Sequence, residues 1–319
     1  MEKPVIAVDA MGGDYAPSEI VKGAVEAARS FDVNIILVGP EKTVQSELSQ
    51  YGAGRANISF CHAEETIGMD EEPVRAIRRK KDSSIVRGMG LLKAGEASAF
   101  VSGGSTGAMV AGALLVVGKK KGISRPALGI VFHSPNGRVL FLDVGANSDC
   151  KPQYLVQFAQ MGTVYMQRIH GVSVPRVGLL SNGEEETKGN KLARSAYHML
   201  SKDQPNFVGN VEGAELPRGK ADVVVTDGFT GNVVIKLSEG LARIFADMST
   251  SAEADGNSLD FHEAEKRILD YTSLGGALLL GVEGNVVITH GKSDATAIER
   301  AIGIAEQMVK QKVMETIGT

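Results

Sequence analysis

The chain has 319 residues, enough for one large sheet or two α/β lobes, and 43% of them are hydrophobic, as in a globular protein. A formal charge of −4 argues against nucleic acid as the partner, and only two cysteines, Cys61 and Cys150, exclude a disulfide framework or a cysteine zinc site and point to a reduced, cytoplasmic compartment. The first apolar run is interrupted by Asp9, which marks a first strand rather than a signal peptide, and no later run is long enough to cross a bilayer.

Strand-like runs are expected at Val5–Val8, Val33–Val38, Ile58–Cys61, Ala97–Val101, Leu128–Phe132, Val139–Asp143, Arg176–Leu180, Asn206–Gly209, Asp222–Thr226 and Asn285–Thr289. Several are apolar throughout, as in strands covered on both faces. Helical patterns alternate with them. Ile20, Val21, Ala24, Val25 and Ala28 share one helical face, and Leu155, Phe158, Ala159 and Val164 share another. The stretch 249–258 is polar and patternless, Leu259–Tyr271 reads as an amphipathic helix, and a last helix runs from about Ser293 to Ile317 with Ser293 or Asp294 as N-cap. The alternation predicts an α/β fold with a doubly wound, mostly parallel sheet, in a single domain over 1–319 with a polar, amphipathic arm around 246–271. In such sheets ligands sit beyond the carboxyl ends of the strands.

There are 38 glycines in 319 residues, about 12% against a norm of roughly 7%, and they cluster after the strand-like runs. Four loops pair glycine with Ser, Thr, Asn or Asp: 9–14 with Asp9, Gly12 and Gly13; 102–107 with Gly103, Gly104, Ser105, Thr106 and Gly107; 143–148 with Asp143 and Asn147; and 227–232 with Asp227 and Asn232. The second and fourth run into helical patterns. Free N–H groups at a helix start attract oxyanions, so a shared anion site competes with plain tight turns as their explanation. GGSTG at 103–107 also fits the G-x-S-x-G nucleophile elbow, and Ser105, Asp227 and His290 keep the chain order of a serine hydrolase. No dinucleotide fingerprint, P-loop or zincin motif is present, so neither a cofactor nor a metal is expected.

Charge adds two features. Arg75, Arg78, Arg79, Lys80 and Lys81 form a dense basic run, either a solvated helix face or a docking patch for an acidic partner. Lys188 follows Glu184, Glu185 and Glu186 in a Gly/Asn turn. It either meets an oxyanion or neutralises the three glutamates.

These loops resemble the bacterial PlsX-type phosphate acyltransferases. The resemblance rests on IAVDAMGGD at 6–14, DEEPVRAIRRKKDSS at 70–84, SGGSTGA at 102–108 and KGISRPAL at 121–128. It continues through LDVGAN at 142–147, PRVGLLSNGEE at 175–185, KGN at 188–190 and ADVVVTDGFTGNV at 221–233, covering nearly the whole chain in order. It implies a fold like that of the isocitrate and isopropylmalate dehydrogenases, a homodimer, and acyl transfer from acyl carrier protein to inorganic phosphate. The acyl phosphate would feed a glycerol-3-phosphate acyltransferase of phospholipid synthesis. It gives the basic run an acidic partner, the carrier protein, and makes a serine nucleophile unnecessary, since the position of Ser105 is often asparagine in the family. The family's apolar arm is associated with peripheral membrane contact. Here 246–270 is short and polar, which puts that contact in doubt.

The same resemblance suggests roles. Phosphate rests on the N–H groups of Gly103 to Gly107 and the Thr106 hydroxyl. Lys188 balances charge or stabilises the oxyanion, and Asn232 donates to the carbonyl oxygen. Asp227 and Asn147 orient these groups, while Asp9, Gly12, Gly13 and Asp143 support the loops. The acyl chain needs an apolar groove, for which 274–282 is the candidate run.

Overall fold

The computed structural model describes residues 3–51, 57–254 and 275–318. The chain forms two compact units, Met1–Pro126 with Thr272–Thr319, and Ala127–Tyr271. The first stretch of unit one contains β1 (Val5–Asp9), α1 (Ser18–Ser30), β2 (Asn34–Gly39), α2 (Glu41–Leu48), β3 (Ile58–His62), α3 (Pro73–Arg79), α4 (Ser84–Ala94), β4 (Ala99–Ser102) and α5 (Thr106–Gly112). Unit two contains β5 (Ala127–Ser134), β6 (Gly137–Leu142), α6 (Pro152–His170), β7 (Val177–Ser181), α7 (Lys191–Asp203), β8 (Phe207–Glu212), β9 (Val223–Val225) and α8 (Gly228–Ala254). The chain then returns to unit one with β10 (Ala277–Leu280), β11 (Asn285–Ile288) and the helices Ala295–Lys310 and Val313–Thr316.

In unit one the strand order is β3-β2-β1-β4-β11-β10. All neighbours are parallel except β10, which runs antiparallel to β11 with Leu278 opposite Val287. Helices cover the sheet because its strands are apolar on both sides: Ile6, Ala7 and Phe100 are 0% exposed. Helix α1 buries Ile20, Val21, Ala24 and Val25, the expected face, and Gly23 brings it against the helix Ala295–Lys310. That last helix is capped by Asp294, whose carboxylate accepts the Ala297 N–H at 2.9 Å, as one of the two sequence candidates.

In unit two the order is β5-β6-β9-β7-β8. The hairpin β5–β6 is antiparallel and the remaining pairs are parallel. The core gathers Phe141, Phe158, Leu140 and Leu142. The mostly parallel, doubly wound architecture is therefore as the sequence predicts.

Two local expectations change. Residues 277–280 are not a groove: they form β10, paired with β11, and Leu278, Leu279 and Leu280 are at most 1% exposed. Residues 249–254 continue α8 rather than forming a patternless stretch. The amphipathic helix expected at Leu259–Tyr271 lies outside the described residues, as does Leu274.

Candidate functional site

Unit one changes its winding direction at β1. Strands β2 and β3 extend to one side and β4 to the other, so the crevice beyond β1 and β4 is a topological switch point. Loops 9–14 and 102–107 meet there. Asp9 is 1% exposed. Ser102 Oγ donates to Asp9 Oδ2 at 2.7 Å, accepts the Gly104 N–H at 3.0 Å, and Met11 N–H donates to Asp9 Oδ1 at 3.1 Å. Burial pushes the Asp9 carboxyl above its usual range, opposed by hydrogen bonds from Ser102, Ser84 and Met11. A Cβ on Gly12 would lie 2.6 Å from Asp9 Oδ2 and 2.8 Å from Gly104 N, so only glycine lets the loops close to this distance.

A third segment joins them. Thr289 N–H donates to the Ser102 carbonyl at 2.9 Å, and Asp14 N–H to the Gly291 carbonyl at 2.6 Å. Thr289 Oγ1 is buried without a hydrogen-bond partner beside Gly103. The sequence places Ser102 at the start of the anion loop without a role of its own, and does not single out Thr289. Both end apolar strands, and their importance appears only once those strands are neighbours.

Within the proposed phosphate loop, Gly103, Gly104 and Ser105 are buried, whereas Thr106 and Gly107 are exposed. Ser105 is the N-cap of α5: its Oγ accepts the Ala108 N–H at 3.4 Å. The first-turn N–H groups of Thr106 and Gly107 have no place in the helix ladder. Each member of the hydrolase order has a local partner: Ser105 Oγ accepts the Ala108 N–H, His290 Nδ1 accepts the Lys292 N–H at 3.0 Å, and both Asp227 carboxylate oxygens accept from Thr230.

The basic run reaches the same loop through α3, whose Pro73 packs on Gly107. Glu72 caps the helix, accepting the N–H groups of Val74 at 3.1 Å and Arg75 at 2.7 Å. Arg75, Arg78, Arg79 and Lys81 are exposed. Lys80 is half-buried, and its Nζ bonds Glu71 Oε1 at 2.6 Å and the Thr66 carbonyl at 2.7 Å.

In unit two, Asp143 builds the loop 143–148. It is 0% exposed and accepts N–H groups from Leu128, Gly145, Ala146 and Asn147 at 2.8–3.2 Å, plus Asn147 Nδ2 at 2.8 Å. Burial raises its pKa against these donors. Asp143 is thus committed to scaffolding. Gly228 N–H bonds the Asn147 carbonyl at 2.8 Å, and a Cβ on Gly231 would collide with the Asp143 carbonyl, so α8 begins hard against this loop. Asp227 accepts Thr230 N–H at 2.8 Å and Thr230 Oγ1 at 2.9 Å, fixing the first turn. Asn232 is exposed and lies over Gly145, with no side-chain hydrogen bond among the described residues.

Lys188 is exposed on a turn held by Gly189 N–H to Asn182 Oδ1 at 2.8 Å and Asn210 Nδ2 to the Glu185 carbonyl at 2.8 Å. Its amino group makes no ion pair among the described residues. The neighbouring glutamates are engaged elsewhere, Glu184 with Lys220 at 2.6 Å and Glu186 with His198 at 3.2 Å. A cavity of about 380 Å³ is lined by both this turn, at Gly189 and Asn190, and the Asp227–Thr230 turn. Among the described residues no cluster of metal-ligating side chains occurs, and no helix is long and apolar enough to cross a membrane.

The fatty acid synthesis protein family model matches residues 5–316. A phosphate acyltransferase of Pelotomaculum thermopropionicum is 50% identical, covering 98% of this chain and 93% of its own. That of Desulforamulus reducens is 48% identical, covering 98% and 96%. Among solved structures, a phosphotransacetylase from Streptococcus pyogenes aligns with a TM-score of 0.67 at 19% identity, covering 97% of this chain and 94% of its own. At that identity it supports the fold alone. With a match over nearly its full length, the chain belongs to the fatty acid synthesis protein family, alongside relatives that are phosphate acyltransferases.

Proposed function

We propose that the protein transfers a fatty acyl group from acyl carrier protein to inorganic phosphate, giving acyl phosphate and the free carrier thiol. The observation that carries this reading is the near-full-length identity to phosphate acyltransferases. The loop 102–107, with Thr106 and Gly107 exposed in the first turn of α5, is consistent with it.

Phosphate is largely ionised near neutral pH, and thiolate is a good leaving group. The reaction therefore asks for positioning and oxyanion stabilisation more than for a strong base. Positioning of two reactants is worth about 7–11 kcal/mol, and one oxyanion donor roughly 2.7–4 kcal/mol. Phosphate is assigned to Gly103–Gly107 with the Thr106 hydroxyl. A phosphate oxygen attacks the thioester carbonyl, Lys188 and Asn232 stabilise the tetrahedral oxyanion, and collapse expels the carrier thiolate. Asp227 and Asn147 act as positioning residues, as their hydrogen bonds within the loops suit.

The exposed arginines of α3 suit docking of the acidic carrier protein, and the contact of Pro73 in the same helix with Gly107 would bring the donor to the phosphate loop. A homodimer is supported by the outer face of α8. Phe229, Val233, Leu237, Leu241 and Ile244 are 42–66% exposed at helical spacing, a stripe suited to burial against a second copy. The protein would act in the cytoplasm, where its product supplies glycerol-3-phosphate acylation. The test is incubation with acyl carrier protein thioester and labelled phosphate, with a fluorophosphonate probe of Ser105 in parallel. Label in acyl phosphate with an unreactive Ser105 supports transfer. Phosphate-independent fatty acid release with a labelled Ser105 overturns it.

A further inference from the structure

We propose that the 380 Å³ cavity of unit two receives the acyl chain of the substrate. This rests on the acyl-transfer reading above. The cavity falls within the size range of small-ligand sites, roughly 300–1,000 Å³. Its apolar wall comes from four elements: Leu155 of α6, Leu179 and Leu180 of β7, Leu192 of α7 and Val234 of α8. Leu155 and Leu179 are 1% exposed and form its inner wall, while Leu180, Leu192 and Val234 keep part of their surface open. An apolar wall without a filling side chain gains from any aliphatic occupant.

The polar groups of the lining argue for a neutral chain rather than an anion. Asp227 is the one charged side chain among the lining residues, a carboxylate, and no lysine or arginine is present. A phosphate or nucleotide would meet that charge without compensation. A methylene chain carries none. The rim holds a polar handle for the reacting end: Ser181 Oγ is buried and has no hydrogen-bond partner. An acyl carbonyl arriving there would satisfy it, next to the turn that carries Lys188. The apolar wall thus lies beside the turn of the proposed catalytic lysine, whose chain neighbours Gly189 and Asn190 line the cavity.

The test uses palmitoyl and octanoyl carrier-protein donors with the wild type, Leu192→Trp and Val234→Phe, the fold of each variant being checked by circular dichroism. Binding of a fluorescent fatty acid analogue is measured separately, without phosphate or carrier protein. Filling the cavity should lower the palmitoyl-to-octanoyl ratio of kcat/KM by about tenfold, or about 1.4 kcal/mol, and weaken analogue binding to the same degree. An unchanged ratio and unchanged binding in either folded variant overturn the inference while leaving acyl transfer intact. A wild type that makes no acyl phosphate from any donor overturns the transfer reading. The analogue then decides the cavity alone: binding lost on filling supports a chain site, and binding retained removes it.

Discussion

Ser102 and Asp9 form the knot of unit one: a single hydroxyl donates to the Asp9 carboxylate at 2.7 Å and accepts the Gly104 N–H at 3.0 Å. The carboxyl ends of two strands 93 positions apart are thereby tied by one oxygen atom. Ser102→Ala should leave a buried N–H and a buried carboxyl short of partners, at a cost of about 1–3 kcal/mol. It should also raise the KM for phosphate if phosphate rests on Gly103–Gly107 as proposed, because Gly104 is one of those residues. Urea denaturation and phosphate titration measure the two effects, and a variant as stable as the wild type would show that the knot is dispensable.

Lys188→Ala and Asn232→Ala should each lower kcat by roughly 10²–10³-fold, the range for a lost oxyanion donor. Both side chains are exposed, so the melting temperature should stay within a few degrees of the wild type. Steady-state kinetics with thermal melts check this. Wild-type turnover in either variant removes that residue from the mechanism.

The basic run holds exposed arginines and a half-buried, ion-paired lysine. Arg75→Glu with Arg78→Glu should raise the KM for the carrier-protein donor, most strongly at low salt, because exposed charges steer encounter. Lys80→Ala should instead lower stability, since it releases Glu71, whose carboxyl Lys80 holds below the usual range. Donor titration at two salt concentrations separates them. Equal effects on KM from all three positions would contradict the division.

His170 should make unit two acid-sensitive. Its ring is held neutral, with its pKa lowered to about 4 from 6.5 by burial and then by Arg138, whose guanidinium meets Nδ1 at 2.9 Å. The unfolded chain therefore binds more protons in that interval. The stability contribution is full above pH 6.5 and is lost as pH falls toward about 4. His170→Gln should flatten this part of the stability profile in denaturation scans. A variant with the wild-type acid slope would assign the effect elsewhere.

The fold was legible because its signals are local. Each of the ten expected strands corresponds to a strand in the structure, since apolar runs flanked by glycine need no long-range information. β10 was not legible: Ala277–Leu280 is four apolar residues with neither alternation nor a β-branched side chain, and its antiparallel pairing with β11 is a tertiary fact. The glycine loops were visible for the same local reason. Their wiring was not. Three glutamates beside Lys188 suggest a local ion pair, yet Glu184 reaches Lys220, 36 positions away, and Glu186 reaches His198. Asp143, expected as a support of its loop, spends its two oxygens on five loop and strand donors, a wiring that no local pattern spells out.

The most direct test is phosphorus NMR of the wild-type protein with palmitoyl carrier protein, with and without inorganic phosphate. The account predicts an acyl phosphate resonance and stoichiometric free carrier thiol, only when phosphate is present, and both formed roughly 10²–10³-fold more slowly with Lys188→Ala. Thiol release accompanied by free fatty acid, at the same rate without phosphate, would contradict it.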